Sequence, residues 1–127
     1  MSAGAVLEQA VMAALRTVPG LGVHERLPVQ AAHPYASVDA GLETDWSHKG
    51  GTGREVRLSI AIRDRGESAN RLRLLCDAVE AAVAGLGASV GEWRIVTMAL
   101  LRMRVARDGE GQWAGLVEFR ARLLLDQ

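Results

Sequence analysis

Apolar residues recur at helical spacing in two stretches of the chain. The first covers about Ala5 to Val18 and is followed by Pro19 and Gly20. Proline cannot continue the amide ladder of a helix, and glycine tolerates the turn that follows. The second covers about Ser68 to Leu86, and the Ser68 side chain can accept a hydrogen bond from a free amide of the first turn. The spacing therefore predicts two amphipathic helices.

Alternating patterns predict four strands. The clearest alternation runs from Val56 to Ile62, where apolar side chains point to one face and mostly polar ones to the other. A plausible first strand covers about Tyr35 to Leu42, and two long strands follow the second helix, at about Glu92 to Arg107 and Trp113 to Leu125. The segment Asp108 to Gly111 between the long strands contains Asp-Gly, which is typical of a hairpin turn.

The order of these elements, α-β-β-α-β-β, predicts an α+β fold with a mostly antiparallel four-stranded sheet and two helices packed on one face. We found no repeat or linker, so residues 1–127 are expected to form a single domain. Two helices can cover only one face of the sheet. Segments 95–101 and 123–125, however, are apolar on both faces. Another subunit is the economical cover for the second face, so the pattern favours self-association.

Composition narrows the classes of protein to be considered. The chain has 127 residues, of which 49% are hydrophobic, and 15 basic residues balance 15 acidic ones. This balance argues against a dedicated DNA-binding domain or a protein of anionic membranes. No secretory signal or membrane-spanning stretch is recognisable, so we expect a soluble intracellular protein. The single Cys76 excludes an internal disulfide and cysteine-based zinc motifs.

No catalytic or cofactor motif emerges from the residues. The three histidines are scattered along the chain without metal-ligand spacing. Cys76 lies on the apolar stripe of the second helix, where a small buried side chain is expected rather than a reactive thiolate. Segment 50–54 is glycine-rich, but it leads into a strand and not into a helix, which argues against a phosphate-binding loop.

The polar segment Glu43 to Gly53 is predicted to be a flexible connection, because three of its residues are closely spaced glycines. Glu43 and Asp45 could share a divalent cation, although a solvated loop is favoured because no supporting ligand is evident. Trp46 either anchors this loop on the core or docks into a partner.

Arginines form a second candidate surface. Arg57 and Arg63 share the polar face of one strand, and Arg102 and Arg104 lie on another strand. These side chains could line a channel or belong to a solvated sheet face, and the sequence alone favours the solvated face.

Several short motifs follow one another in a recognisable order. They are His33-Pro34-Tyr35-Ala36, Glu43-Thr44-Asp45-Trp46-Ser47, Gly51-Thr52-Gly53-Arg54-Glu55-Val56, Glu67-Ser68-Ala69-Asn70, Cys76-Asp77-Ala78-Val79 and Glu118-Phe119-Arg120. In order and spacing they resemble the tail-completion, or tail-terminator, proteins of siphophages, prophages and gene transfer agents. The similarity covers nearly the whole chain.

This resemblance implies a fold like that of lambda-type tail terminators and a structural, non-enzymatic role without cofactors. The implied assembly is a hexameric ring that caps the head-proximal end of the tail tube and ends tube polymerisation. Its implied partners are further copies of itself, the major tail tube protein and the head-tail connector. DNA would only pass through the lumen, and no membrane is involved. The implied location is the tail of a phage-like particle assembled in the bacterial cytoplasm.

The resemblance also gives the two candidate surfaces a role. The first is a loop that contacts a neighbouring subunit or the tube, and the second is a lumen-facing or exposed sheet face. The loop candidates are Glu43, Asp45, Trp46, Lys49 and Arg54, and the face candidates are Arg57, Arg63, Arg102 and Arg104. Two alternatives remain open at this point: a head-tail adaptor ring protein, and a small α+β ligand-binding domain that uses the 43–53 segment over a pocket.

Overall fold

The computed structural model describes residues 1–26 and 30–126. The sequence also predicts an irregular segment at 21–34, punctuated by Pro28 and Pro34, and of these two prolines Pro28 lies outside the described residues. The helices are α1 (Ala3–Leu15) and α2 (Asn70–Ala84). The strands are β1 (Gly22–His24), β2 (Tyr35–Asp45), β3 (Gly51–Arg65), β4 (Ser89–Val90), β5 (Trp93–Arg107) and β6 (Gln112–Asp126).

These strands form one six-stranded sheet in the order β1-β2-β3-β6-β5-β4. The α+β class is confirmed, but the prediction of four strands is wrong. The two additional strands are β1, which pairs in parallel with β2, and β4, which pairs with β5. They contain three and two residues, and such short strands do not show the alternation that identifies a strand in a sequence.

Helix α1 begins and ends where local hydrogen bonding and proline dictate. The hydroxyl of Ser2 accepts a hydrogen bond from the Ala5 amide at 3.1 Å and so caps the first turn. The helix ends at Leu15, and Pro19 and Gly20 follow in a turn, Gly20 with φ of 77°. Its buried side contains Leu7, Val11 and Leu15, which are four residues apart and therefore lie on one stripe.

Helix α2 packs closely against β6. The hydroxyl of Ser68 accepts a hydrogen bond from the Asn70 amide at 3.0 Å, as expected for a residue just before the helix. At the point of closest approach β6 has Gly115. A Cβ atom there would lie 2.9 Å from the Cys76 sulfur and 3.1 Å from Leu72 Cδ1, so glycine is needed at this position.

Strands β3 and β6 form the centre of the sheet and pair along their whole lengths. Their inward side chains alternate with outward ones and meet the two helices on a single face. We call this the covered face. Its fully buried side chains in the centre of the sheet are Val56, Leu58, Ile60, Ile62, Val117, Ala121 and Leu123.

Two irregularities in β5 explain why its sequence looks apolar on both faces. The register with β6 shifts between Ile95 and Thr97, and again between Leu100 and Arg102. Each shift inserts one extra residue, Val96 and then Leu101, and a β-bulge of this kind moves the following side chains to the other face. Many of the apolar residues that seemed to lie on both faces of β5 therefore lie on the covered face, because the two bulges change the alternation.

The sequence predicts one of the two hairpins correctly and the other incorrectly. The turn at 108–111 lies where Asp-Gly predicts it, with Gly109 and Gly111 at φ of 117° and 66°. By contrast, the predicted flexible 43–53 connection is wrong, because β2 continues to Asp45 and β3 already begins at Gly51. Gly53 makes this possible: its backbone passes so close to the Trp46 carbonyl that no Cβ would fit.

Candidate assembly surface

The second face of the sheet is covered by neither helix of the described residues, and we call it the open face. The register places Arg57 of β3 opposite Arg120 of β6, and Arg102 of β5 opposite Glu118 of β6. The four arginines singled out from the sequence all lie on this face. Arg120 and Arg122, which sequence reasoning missed, join them from the central strand β6. The sequence did contain a signal for them: Arg120 and Arg122 are two residues apart in a predicted strand, so their side chains lie on the same face.

Ion pairs neutralise part of this face. Arg102 lies 2.6 Å from Glu118, Arg63 lies 2.7 Å from Asp108, and Arg122 lies 3.0 Å from Glu55 (closest side-chain N to O). Within the described part of the chain, the buried Nε of Arg120 has no hydrogen-bond partner, and it lies 4.0 Å from Glu55 Oε1.

Two of the arginines differ from the others. Within residues 1–26 and 30–126, the side chains of Arg57 and Arg104 form no ion pair, and both are exposed. The open face therefore has an excess of positive charge that a carboxylate or phosphate could neutralise.

The residues of the 43–54 hairpin are engaged with one another and with α1. Glu43 Oε1 accepts a hydrogen bond from the Gly4 amide at 2.8 Å, at the positive end of the helix dipole. The Arg54 guanidinium lies 3.2 Å from Glu43 Oε2 and 3.1 Å from Asp45 Oδ1. These carboxylates therefore bind an arginine and an amide. Exposed Lys49 lies in the turn at the hairpin tip, between His48 and Gly51.

Asp45 and Ser47 fix the shape of the hairpin near its tip. The Ser47 hydroxyl donates to Asp45 Oδ1 at 2.6 Å and accepts from the Gly53 amide at 3.0 Å. The Ser47 hydrogen bond lowers the pKa of Asp45, and the charge of Arg54 lowers it further. The carboxylate is consequently held in its ionised form.

Trp46 is half-buried, and its ring makes two contacts within the chain. The His48 ring lies edge-on at 4.4 Å between centroids, and the Arg122 guanidinium lies 5.5 Å from the indole centroid. The latter is within the range of a cation–π interaction. The indole thus joins the hairpin to β6 while part of it stays open to solvent.

The structure brings no catalytic cluster together among the described residues. In residues 1–26 and 30–126 no group of three or more His, Cys, Asp or Glu side chains could hold a metal ion. Cys76 lies on the buried side of α2, and burial raises the pKa of its thiol to about 11. None of the helices in this part of the chain is long and apolar enough to cross a membrane.

One buried charge was not anticipated from the sequence. Asp64, at the end of β3, is 3% exposed and accepts two hydrogen bonds from the Arg71 guanidinium and one from the Arg65 amide. Burial alone would raise the pKa of Asp64, but these hydrogen bonds outweigh it and the net shift is downward. The pair ties the start of α2 to the sheet.

An open cleft of about 530 Å³ lies at the opposite end of β3 from the 43–54 hairpin. It is lined by Arg65, Gly66, Glu67, Arg107, Glu110, Gly111 and Trp113. Two residues of the cleft wall are hydrogen-bonded to each other, since the Trp113 indole N–H donates to the Gly66 carbonyl at 3.1 Å. This is not where the sequence placed a pocket, since the 43–53 segment lies at the other end.

Comparison with known proteins identifies a family and shows a structural likeness to solved structures. The sequence profile of the family described as "Tail completion protein gp17" matches residues 5–124. No curated protein matches significantly. A chain in a solved structure titled "Virion of native gene transfer agent (GTA) particle" is 22% identical, with a TM-score of 0.64 over 97% of this chain and 95% of that chain. At this identity the likeness shows a shared fold.

Proposed function

Because this chain belongs to the tail completion protein gp17 family, and is thus a structural protein of the tail of a phage-like particle, we propose that it forms a ring at the head-proximal end of the tail tube. The ring is hexameric, ends polymerisation of the tube and provides the surface that joins the head connector. The role requires no catalysis. The family match over residues 5–124 is the observation that carries this proposal.

The open face supports the proposal as the wall of the lumen. Its arginines lie on adjacent strands, and Arg57 and Arg104 are exposed without an ion pair in the described part of the chain. A wall with this modest excess of positive charge would attract DNA phosphates only weakly, because ion pairs neutralise its other arginines. The chain is neutral overall, which suits DNA in transit.

The 43–54 hairpin supports a contact with a neighbouring subunit or with the tube. Its backbone is held in strand geometry, and its tip has exposed His48 and Lys49 beside half-buried Trp46. Tryptophan is enriched at the hot spots of protein interfaces. We propose that Trp46 loses its remaining solvent exposure in the assembled particle.

The first experiment is to measure the mass and shape of the purified protein, alone and mixed with its tail tube protein. Light scattering and negative-stain microscopy should show rings, or short tubes closed at one end. A compact monomer or dimer that ignores the tube would overturn the proposal. The position of the protein in whole particles separates this function from that of a head-tail adaptor, which would lie between the connector and the capsid.

Substitution of Trp46 tests the hairpin separately. Trp46→Ala should weaken ring formation or joining to the tube, because the interface anchor is removed. Trp113→Ala is the matched control, since Trp113 is also half-buried, lies 5.1 Å from the Arg107 guanidinium and belongs to the opposite end of the sheet. If Trp46→Ala and Trp113→Ala both leave assembly intact, the hairpin is not the contact.

A further inference from the structure

The sheet has two long edges whose backbone groups are largely unpaired in the described part of the chain. At one end β4 pairs only with Trp93 and Arg94 of β5. Beyond them, the outer side of β5 at 96–107 has no neighbouring strand among residues 1–26 and 30–126, whereas its inner side pairs with β6. At the other end β1 pairs only with residues 35–37 of β2, so residues 38–45 have no strand on that side within residues 1–26 and 30–126, although the Gly4 amide of α1 binds the Glu43 side chain. Unpaired edges of this length are templates for another strand.

The two edges have opposite charge. Strand β2 contains three acidic residues and no basic one, namely Asp39, Glu43 and Asp45. Strand β5 contains four arginines and no acidic residue, namely Arg94, Arg102, Arg104 and Arg107. Two copies that met β2 to β2, or β5 to β5, would place like charges side by side. A contact between β5 and β2 is complementary. Because Arg54 already binds Glu43 and Asp45, and Glu118 binds Arg102, this complementarity rests mainly on Asp39 and Arg104.

Exposed large apolar side chains are concentrated on the same two strands. Among the described residues six such side chains are exposed, and four belong to these edges: Leu42 on β2, and Val96, Leu100 and Leu101 on β5. They are 39–61% exposed in the isolated chain. An unpaired strand edge lined with leucine is an aggregation hazard unless a specific partner covers it.

We propose that copies of this chain associate head to tail, with the β5 edge of one copy pairing with the β2 edge of the next. The inference rests on the proposed ring and names the surfaces that build it. The two patches differ and lie at opposite ends of one sheet, so the contact is heterologous and can repeat around a closed ring. The sheet would then continue from copy to copy.

The bulges restrict how the edges can meet. On β5 the extra residues Val96 and Leu101 interrupt the ladder, and on β2 the register shifts between Asp39 and Leu42. Regular backbone without a strand on the outer side is left at 97–100 and 102–107 on β5, and at 38–39 and 42–45 on β2, within the described residues. Bulges discourage promiscuous pairing of an edge, so a partner must match their positions. This favours one partner with a fixed register.

Asp39 and Arg104 are the charged pair most available for this contact. Both are exposed on the open face, and each lies in an edge strand. Asp39 Oδ1 accepts only its local Gly41 amide, at 2.8 Å, and Arg104 has no ion pair among residues 1–26 and 30–126. A copy that brings Arg104 to Asp39 of its neighbour would satisfy both charges.

Charge reversal tests the pairing. Asp39→Arg alone and Arg104→Asp alone should each weaken the apparent association by roughly tenfold or more, measured by light scattering across a dilution series. An equimolar mixture of the two variants should assemble again, because every contact between unlike variants then joins opposite charges. Arg57→Glu is the control, since Arg57 is also exposed and without an ion pair but belongs to the central strand β3. Thermal melting checks that each variant is folded.

A cysteine pair gives an independent readout. Leu42→Cys combined with Leu101→Cys should give a ladder of disulfide-linked oligomers under mild oxidation, whereas either variant alone should stop at dimers. The native Cys76 is buried and should not contribute. A dimer band as the largest product of the double variant would contradict the pairing.

The outcomes separate this inference from the ring itself. If the wild-type chain forms rings and both single-reversal variants form them equally well, the edge pairing is overturned and the proposed ring stands. A wild-type chain that stays monomeric alone and with the tube protein overturns both. Loss of assembly in Arg57→Glu to the same extent would move the contact from the edges to the open face.

Discussion

The two faces of the sheet differ in how their side chains find partners. On the covered face, alternate residues of β3 and β6 are fully buried against two helices, and one charge, Asp64, is enclosed by hydrogen bonds. On the open face the same strands present arginines, some paired with Glu55 or Glu118 and some without an ion pair in the described part. The covered face therefore determines the fold of one chain, and the open face is available for contacts beyond it.

The largest expected difference between the faces is in the free energy of unfolding that a Leu→Ala substitution removes. Leu58→Ala on the covered face should lower the free energy of unfolding by about 2–5 kcal/mol, because a fully buried side chain leaves a cavity. The same change at Leu42, which is 61% exposed on the open face, should cost less than about 0.5 kcal/mol. Urea unfolding of dilute protein measures both. Equal losses would show that the open face is already covered in the isolated chain.

A smaller effect is expected from the buried charge of the covered face. Asp64→Asn should lower the free energy of unfolding by about 1–3 kcal/mol at pH 7, since the charge-assisted hydrogen bonds from Arg71 are lost. Asp77→Asn, an exposed change on α2, is the control and should be near neutral. Chemical denaturation at a series of pH values provides the measurement.

The pH dependence of this effect follows from the lowered pKa of Asp64. Its usual value is 3.8, and the folded-state value lies below it. The carboxylate therefore contributes its full stability above about pH 4 and loses it as the pH falls through the folded-state pKa. The gap between wild type and Asp64→Asn should narrow in that acidic range. A gap that stays constant down to the acid transition would contradict this assignment.

The smallest effect is expected from an ion pair of the open face. Arg102→Ala should cost less than about 1 kcal/mol, because the Arg102 side chain is 64% exposed and water screens its pair with Glu118. A double-mutant cycle with Glu118→Ala, run at low and high salt, isolates the coupling. Arg104→Ala, without an ion pair in the described residues, serves as the control. A coupling above about 2 kcal/mol would mean that this face is less solvated than its exposure indicates.

The sequence predicts the covered face better than anything else in the molecule. Helix α2 and strand β3 are long enough for their periodicity to identify both the element and its buried side. The Asp-Gly hairpin follows from turn chemistry. The edges were not predictable in the same way, because β1 and β4 are shorter than one period of a reliable pattern and the bulges at Val96 and Leu101 break the alternation.

The candidate surfaces show the same limit. Arg57 and Arg63 could be placed together from one alternating strand, whereas Arg120 and Arg122 joined them only through the pairing of β3 with β6. The 43–54 hairpin looked flexible because of its glycines. Glycine at position 53 instead allows a close backbone approach to Trp46, which composition does not reveal. Long-range pairing was the missing information at both surfaces.

The single thiol offers a kinetic view of this architecture. Cys76 is on the buried side of α2 and faces Gly115 of β6, and burial raises the pKa of its thiol to about 11. A thiol reagent can attack only during the moments when α2 lifts from the sheet, so the labelling rate reports the opening equilibrium. If only the closed chain can assemble, assembly should slow the labelling of Cys76, and the slowing should increase with the affinity of the assembly. The rate at which Cys76 is labelled therefore measures how strongly assembly in the tail stabilises the closed subunit.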